Sequence, residues 1–346
     1  MPGSSDAPPK PAPGPESGAQ SPPRRAPTGI TRLAPSPTGA LHLGNLRTFV
    51  VNWALARQRG WRVVLRIEDL DTPRNKPGAT DEALRVLRWA GLDWDEGPFV
   101  QSREPRPHRE AMERLARSGL AYPCALTRGQ IEAAASAPQE GAEGHEVVFP
   151  ASLRPPLEPR AFDDPSTSWR FVVPERAVGF VDEFAGPQSR CPARTIGDFV
   201  VWTARGQASY QLAVVVDDAR QGVTHIVRGD DLLDSAARQV LLIEALGLAP
   251  PPAYCHLPLV VGADGRRLAK RHGDTRLTRY MDMGVRAERV LGLLGAWCGV
   301  EAPRSGERGP RRERSITDLL AALALSSIPR GAIVFTAEDE QWLLGG

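Results

Sequence analysis

Two short motifs, far apart in the chain, each have the residue types to hold nucleotide phosphates. His42–Asn45 (HLGN) lies at the start of a predicted helix, and Arg267–Arg271 (RLAKR) comes much later. Free N–H groups at a helix start favour a bound phosphate, and a histidine there can donate to an α-phosphate oxygen. Gly39 and Gly44 leave room for adenosine beside the backbone. In isolation, His42 is better explained as a helix-start residue satisfied by solvent, but together the motifs predict activation of a carboxylic acid with ATP.

Lys270 lies in a dense group of cations with Arg266, Arg267 and Arg271. Like charges this close repel each other unless an anion draws them together, and a triphosphate is a natural candidate. Lys270 is then placed to stabilise the departing pyrophosphate. An exposed basic turn is the alternative, and the segment alone is weak evidence.

A third group of residues suits an acidic amino acid as substrate. Arg32, Glu68, Tyr210 and Arg228 each lie at or near a predicted strand end. Arginine binds a carboxylate through two parallel hydrogen bonds, and Glu68 can pair with an ammonium group. The alternatives are a capping or surface ion pair for Glu68 and a core position for Tyr210.

The elements that must position these groups follow a strand–helix–strand order. A strand at residues 30–34, a helix at about 43–59 and a strand at 62–67 predict a parallel βαβ unit with Glu68 at its ligand-binding edge. The fold class predicted is therefore α/β, a Rossmann-like doubly wound parallel sheet. Further strands are predicted at 211–216 and 256–261, and helices at 80–91, 106–118, 235–247 and after Gly273.

The predicted organisation has five parts. They are a disordered Pro-rich tail (1–29), the first half of the catalytic domain (30–123), an inserted subdomain (124–192), the second half (193–272) and a helical C-terminal region (273–346). The basic stretch Arg304–Arg314 within the last part either meets a nucleic acid or is a solvated loop.

Composition sets further bounds on the protein. The net charge of the 346 residues is only +2, so a nucleic-acid partner requires a local basic patch. The four cysteines form no Cys-x-x-Cys pair, which favours free thiols in a reducing compartment. Without a signal peptide or an apolar run long enough to span a membrane, we expect a cytoplasmic protein, by default a monomer.

Several motifs in fixed order resemble the class I aminoacyl-tRNA synthetases. Arg32–Arg47 and Arg267–Arg271 resemble their two signatures, His-Ile-Gly-His and Lys-Met-Ser-Lys-Ser. Residues 34–39 (APSPTG), 66–69 (RIED), 91–97 (GLDWDEG), 210–218 (YQLAVVVDD) and 227–233 (VRGDDLL) look like the glutamate-specific branch. Glutamyl-tRNA synthetases carry a long helical anticodon-binding region after the second signature, whereas here the chain ends at Gly346. That shorter form is similar to the glutamyl-queuosine tRNA(Asp) synthetase family.

The resemblance implies a function and a role for each site residue. Members of that family activate L-glutamate with ATP and attach it to the queuosine base in the anticodon loop of tRNA(Asp). His42 and Lys270 would be catalytic, and Mg²⁺ would bind through the ATP phosphates. The glutamate site would comprise Arg32, Ala34, Ser36, Glu68, Tyr210 and Arg228; the ATP site would comprise His42, Gly44, Asn45 and Lys270.

The chain departs from the family pattern in three places. Asn45 replaces the second histidine of the first signature, and Ala269 replaces the serine of the second. Many relatives hold zinc through four positions that here read Cys124, Leu126, Phe149 and Leu153. One thiol cannot form a tetrahedral site, even with His145 beside it, so we predict no zinc and an insertion held by packing.

Two other functions remain open from the sequence. One is a minimal glutamyl-tRNA synthetase that charges tRNA(Glu). The other is a non-catalytic paralogue, suggested by Ala269 and the lost zinc ligands. The charged residues retained at Arg32, Glu68, Arg228 and Lys270 argue against decay of the site.

Overall fold

The computed structural model describes residues 27–134, 147–266, 268 and 274–345. The predicted tail lies almost wholly outside these ranges, and so do His145, Ala269 and Lys270. Within them, no helix is long and apolar enough to cross a membrane.

The strands and helices alternate along most of the chain. The strands are β1 (Ile30–Leu33), β2 (Arg62–Ile67), β3 (Glu96–Val100), β4 (Ala121–Pro123), β5 (Trp169–Phe171), β6 (Val178–Asp182), β7 (Gly186–Arg190), β8 (Phe199–Thr203), β9 (Gln207–Ala208), β10 (His225–Gly229), β11 (Ala253–Leu257), β12 (Val260–Val261) and β13 (Ile333–Val334). The helices are α1 (Leu43–Arg59), α2 (Ala79–Trp89), α3 (Pro105–Arg117), α4 (Arg128–Ala134), α5 (Pro192–Thr195), α6 (Tyr210–Arg220), α7 (Leu233–Ala245), α8 (Leu277–Asp282), α9 (Ala287–Trp297), α10 (Ile316–Ala322) and α11 (Ala337–Leu344).

The predicted βαβ unit is confirmed at the N-terminal end of the fold. Strands β1, β2 and β3 pair in parallel, with Ile30 opposite Arg62. Helix α1 ends at Gly60, whose φ of 68° lies in the left-handed region. Glycine adopts that conformation without a steric penalty, so the chain can turn directly into β2.

A second, four-stranded sheet lies next to this one, with the strand order β10-β11-β6-β7. Strand β10 pairs with β11 and β11 with β6, all in parallel, and β7 returns antiparallel to β6. Strand β1 runs beside β10, because the N–H of Thr224 donates to the carbonyl of Ile30 at 2.9 Å. Strands β6 and β7 fall inside the range predicted as the insertion, yet they extend this sheet through Asp182 opposite Tyr254.

Two large apolar clusters cover the sheet. Successive strand residues point to opposite faces, and Ile226 and Val227 accordingly belong to different clusters, as do Tyr254 and Cys255. One cluster includes residues of α1, α2 and α9, and the other residues of α3, α6 and α7. Helices therefore pack on both faces, as in a doubly wound fold.

The structure corrects two of the predicted strands. Residues 211–216 lie in helix α6, so Tyr210 is the first residue of a helix and does not end a strand. The error has a physical cause: Leu212–Asp218 is buried throughout, and a short, fully buried valine-rich run shows no periodicity that separates strand from helix. The predicted strand at 256–261 is divided into β11 and β12 at Pro258, which has no N–H to donate.

The basic stretch at 304–314 is largely committed to contacts within the chain. Arg308 and Arg311 donate to the fully buried carboxylate of Asp339 at 2.6 and 2.8 Å. The buried Arg314 pairs with Glu301 at 3.0 Å. These arginines join the loop after α9 to helix α11, so most of the stretch is neither a purely solvated loop nor a free basic patch.

Candidate functional site

Helix α1 starts with a cap that involves both ends of the HLGN motif. The N–H of Gly44 donates to Nδ1 of His42, and the N–H of His42 donates to Oδ1 of Asn45, both at 3.1 Å. Because Nδ1 accepts a hydrogen bond, a neutral His42 carries its proton on Nε2. Asn45 thus has a structural role at the third helical position in addition to the predicted role in ATP binding.

Gly44 is required by the position of the His42 ring. A Cβ at residue 44 would lie 3.1 Å from Cε1 and 3.2 Å from Nδ1 of that ring. It would also lie 3.4 Å from Cβ of Val260, on β12. A side chain at this position would push the imidazole from its place.

The start of α1 and the two ends of the second motif meet in space. Within the motif, the buried Leu268 donates its N–H to the carbonyl of Val260 at 3.4 Å. After it, Leu277 donates to the carbonyl of Leu41 at 2.9 Å, and Arg276 forms a β-bridge with His42. Although Lys270 lies outside the described residues, the chain on either side of it is fixed close to His42.

The charged and aromatic residues predicted for glutamate come close together near the ends of β1, β2 and β10: Arg32, Arg228 and Glu68 all act on the pKa of the Tyr210 hydroxyl. Arg32 lies in β1 and Arg228 in β10, both buried, and Glu68 directly follows β2. The N–H of Glu68 donates to the carbonyl of Pro35 at 3.0 Å. This bond fixes the segment that carries the half-buried Ala34 and the exposed Ser36 beside Glu68.

Arg66, a residue that sequence reasoning did not single out, links these groups. Its guanidinium donates to Asp218 at 2.7 Å and to Oε1 of Glu68 at 3.0 Å, and Asp218 also lies 3.5 Å from Nε of Arg32. Burial opposes the charge on Arg66, but Asp218 and Glu68 raise the pKa of the guanidinium above its ordinary value. The network holds the carboxylate of Glu68 in place through the hydrogen bonds from Arg66.

Two tyrosines stand in the same electrostatic environment. The Tyr210 residue is 39% exposed, but burial of its hydroxyl raises the pKa of that group. Burial likewise raises the pKa of Tyr254 to about 12, against the opposing effect of Arg228. Arg32 acts on the pKa of both hydroxyls, which places both near the two arginines.

Several buried donors in this pocket have no hydrogen-bond acceptor among the residues that the structure describes. They are Nε of Arg32, Nη1 of Arg228 and the hydroxyl of Tyr254. Buried polar groups are normally paired, and each that is not costs about 1–3 kcal/mol. A pocket with two such cations has the chemistry to bind an anion with several oxygen acceptors.

Tyr254 and His256 were missed from the sequence. They lie two positions apart in β11, a short strand whose sequence looks like part of the hydrophobic core. His256 accepts a hydrogen bond from Nε of Arg228 at 2.9 Å and contacts Asp182 at 2.6 Å. The sequence signal that could have identified them is their spacing, since two polar residues two positions apart lie on the same face of a strand.

The positions that hold zinc in many relatives are apolar in character here. Cys124, Phe149 and Leu153 pack with Tyr122 and Ile131 in one small cluster, and Leu126 is partly exposed. Within the described ranges, no three side chains among His, Cys, Asp and Glu come together as a metal site. Packing of this cluster agrees with the predicted way of holding the insertion, and the absence of zinc stays a prediction.

Comparisons with known proteins agree with this geometry. Residues 30–299 match the family model described as tRNA synthetases class I (E and Q), catalytic domain. A glutamate tRNA ligase structure from Elizabethkingia meningosepticum superposes with a TM-score of 0.73 at 25% identity, covering 91% of this chain and 68% of that one. The α/β fold class predicted from the sequence is confirmed.

Curated relatives resemble the chain over nearly its whole length. A glutamyl-Q tRNA(Asp) synthetase of Symbiobacterium thermophilum is 45% identical, covering 91% of this chain and 98% of that protein. One from Rhodopirellula baltica is 46% identical, over 76% of this chain and 82% of that protein. A glutamate–tRNA ligase of Geobacter sulfurreducens is 37% identical, but the chain spans only 64% of its length.

Proposed function

The chain belongs to the class I tRNA synthetases (E and Q) by its catalytic domain, and on that premise we propose that it activates L-glutamate with ATP and transfers the glutamyl group to the queuosine base of tRNA(Asp). The observation that carries the choice of glutamate is the pair of buried arginines beside Glu68. Nη1 of Arg228 has no hydrogen-bond acceptor among the described residues, and Nε of Arg32 has only an ion pair with Asp218 at 3.5 Å. The names of the most similar curated relatives support the acceptor.

Glutamate fits the charges of the pocket. Glu68 pairs with the substrate ammonium, while Ala34 and Ser36 line the backbone segment next to it. Arg32, Arg228 and the hydroxyls of Tyr210 and Tyr254 bind carboxylate oxygens. The α-carboxylate is the nucleophile and must stay reactive, so the two buried arginines suit the side-chain carboxylate better.

Adenylation follows from the position of His42 at the start of α1. An oxygen of the glutamate α-carboxylate attacks the α-phosphorus in line, a mixed anhydride bond forms, and pyrophosphate leaves with its electron pair. His42, with its proton on Nε2, donates to an α-phosphate oxygen, and the adenosine lies over Gly44. Lys270 neutralises the charge of the leaving pyrophosphate. Catalysis then rests on positioning and on charge stabilisation.

In the transfer step, a hydroxyl of the queuosine base attacks the activated carbonyl carbon and releases its proton to solvent; an ester bond forms, the acyl–phosphate bond breaks, and AMP leaves. Mg²⁺ would enter with ATP and would be held mainly by the phosphates, where it would neutralise their charge, since this ion is rarely held by a protein cage. The protein acts as a monomer in this proposal, a point that light scattering on the purified chain will check.

Exchange of labelled pyrophosphate into ATP tests the activation half. We expect exchange that requires L-glutamate and that does not occur when glutamine or aspartate is supplied in its place. Arg228→Gln should lower kcat/KM for glutamate by about a hundredfold or more, since it removes a charge-assisted carboxylate contact. Absence of glutamate-dependent exchange under all conditions, tRNA included, would instead favour a non-catalytic paralogue.

A further inference from the structure

A chain of three buried side chains runs from the sheet into the glutamate pocket. Nε of Arg228, on β10, donates to Nε2 of His256, on β11, at 2.9 Å. Nδ1 of His256 lies 2.6 Å from Oδ2 of Asp182, at the end of β6. The side chains of His256 and Asp182 are completely buried.

The partners of His256 determine its protonation. The Nε–H of an arginine is always a donor, so Nε2 of His256 must accept and carry no proton. The proton therefore resides on Nδ1 and is donated to Asp182. Burial lowers the pKa of His256, and the Arg228 charge adds to that effect while Asp182 opposes it.

Asp182 is itself held in one orientation by the backbone. Its Oδ1 accepts from the N–H groups of Phe184 and Ala185 at 3.0 and 2.7 Å, and the N–H of His256 also donates to the carboxylate. The imidazole of His256, with the N–H groups of Ala185 and His256, lowers the pKa of Asp182 despite its burial, so this carboxyl stays ionised. A fixed carboxylate in turn fixes the tautomer and the rotation of the imidazole.

The guanidinium of Arg228 is consequently held by protein contacts along one of its own edges. His256 takes Nε, the carbonyl of Leu232 accepts from Nη2 at 3.3 Å, and the ring of Tyr254 lies 5.4 Å from the guanidinium carbon. The remaining group, Nη1, is buried without an acceptor in the described part of the chain. The guanidinium can offer that donor to a ligand in only one orientation.

We propose that His256, fixed by Asp182, is a positioning residue that aims Arg228 at the side-chain carboxylate of glutamate and thereby sets the preference for glutamate over glutamine. This inference rests on the proposed function. Glutamine presents an amide N–H₂ to the same donor, which leaves buried groups unpaired. A fixed guanidinium rejects such an analogue, whereas one that can rotate tolerates it.

The chain offers a matched control pair. His108, on α3, is also buried, and its Nε2 lies 3.0 Å from Oδ1 of the buried Asp217. Substitution of His108 removes a buried His–Asp pair of the same kind without touching Arg228. It thus separates loss of stability from loss of positioning.

Two substitutions at His256 separate its two hydrogen bonds. His256→Asn keeps a donor near Nδ1 for Asp182 but is too short to accept from Arg228. His256→Gln reaches further and restores an acceptor. Should His256→Asn not fold, His256→Met is an unbranched replacement that also lacks the acceptor. Thermal melting of each variant reports its folding.

The measurement is glutamate affinity by calorimetry, together with KM and kcat for glutamate and glutamine in pyrophosphate exchange. We expect His256→Asn to weaken glutamate binding about tenfold to a hundredfold, to narrow the preference over glutamine, and to leave KM for ATP nearly unchanged. His256→Gln should recover most of the loss, and His108→Asn should show none of it.

Equal glutamate KM values in His256→Asn and His108→Asn would overturn the inference, as would failure of His256→Gln to rescue. These outcomes differ from failure of the proposed function, in which the unaltered protein itself gives no glutamate-dependent exchange. If the unaltered protein binds glutamate without exchange, the calorimetric comparison still tests His256. If it does not bind glutamate at all, both proposals are wrong.

Discussion

Substitution of Gly44 by alanine should slow adenylation because it displaces His42. The new Cβ would lie 3.1–3.2 Å from two ring atoms, where ordinary contacts are 3.4 Å or longer, so the imidazole must move by a few tenths of an ångström. A 1 Å misplacement in an active site can cost about a hundredfold in rate, and loss of one transition-state donor about 10²–10³. We therefore expect kcat for pyrophosphate exchange to fall roughly tenfold to a hundredfold, with stability nearly unchanged, since alanine favours a helix.

Gly129 provides the control for this substitution. It is the second residue of α4, as Gly44 is of α1, and a Cβ there meets nothing within 4 Å. Gly129→Ala should retain the full rate. In a double-mutant cycle, Gly44→Ala should have little further effect once His42 is already alanine, because the two act through one ring. A normal rate for Gly44→Ala, or full additivity with His42→Ala, would refute the reasoning.

Three further predictions concern stability and metal content. Burial lowers the pKa values of His256 and His225, so the unfolded chain takes up protons first as the pH falls below about 6.5. The free energy of unfolding, measured in urea, should therefore decrease from pH 7 to pH 5.5 by at most about 1.4 kcal/mol per pH unit for each histidine. The decrease should be less steep in His256→Gln, and an equal slope in that variant would contradict the role given to His256. Asp339→Ala should destabilise by about 2–4 kcal/mol, since it leaves Arg308 and Arg311 without their buried partner. Asp318→Ala removes an exposed carboxylate at the same capping position of α10 and should cost much less. Purified protein should contain no stoichiometric zinc by elemental analysis and keep its melting temperature in a chelator; one bound zinc per chain would show that the cluster around Cys124 has been misread.

The sequence was most informative where local chemistry decides the structure. The cap formed by His42 and Asn45, the apolar stripe of α1 and the glycine that follows it lie within one short segment. The position of Glu68 directly after a parallel strand could be predicted for the same reason, since a strand end follows from nearby residues. No strand was predicted around Arg228, which lies in β10. The two motifs were paired by their shared phosphate-binding chemistry and by the family resemblance, and the backbone contacts beside His42 now give that pairing a geometric basis.

Contacts between strands that are far apart in the sequence could not be predicted. Asp182, Arg228 and His256 come from three strands, and no spacing along the chain indicates that they touch. Arg66 looked like one charge in a strand, yet it is buried and links Glu68 to Asp218. Helix α6 was mistaken for a strand because its buried valines lack an exposed face that would reveal the helical period.

Transfer of labelled glutamate to tRNA tests the central claim most directly. The purified chain would be incubated with ATP and labelled glutamate, with tRNA(Asp) that carries or lacks queuosine and with tRNA(Glu). We expect label only on the queuosine-bearing tRNA(Asp), released by mild base as an ester would be. Label on tRNA(Glu) instead would identify a minimal glutamyl-tRNA synthetase. Label on no tRNA, with no pyrophosphate exchange, would contradict the account.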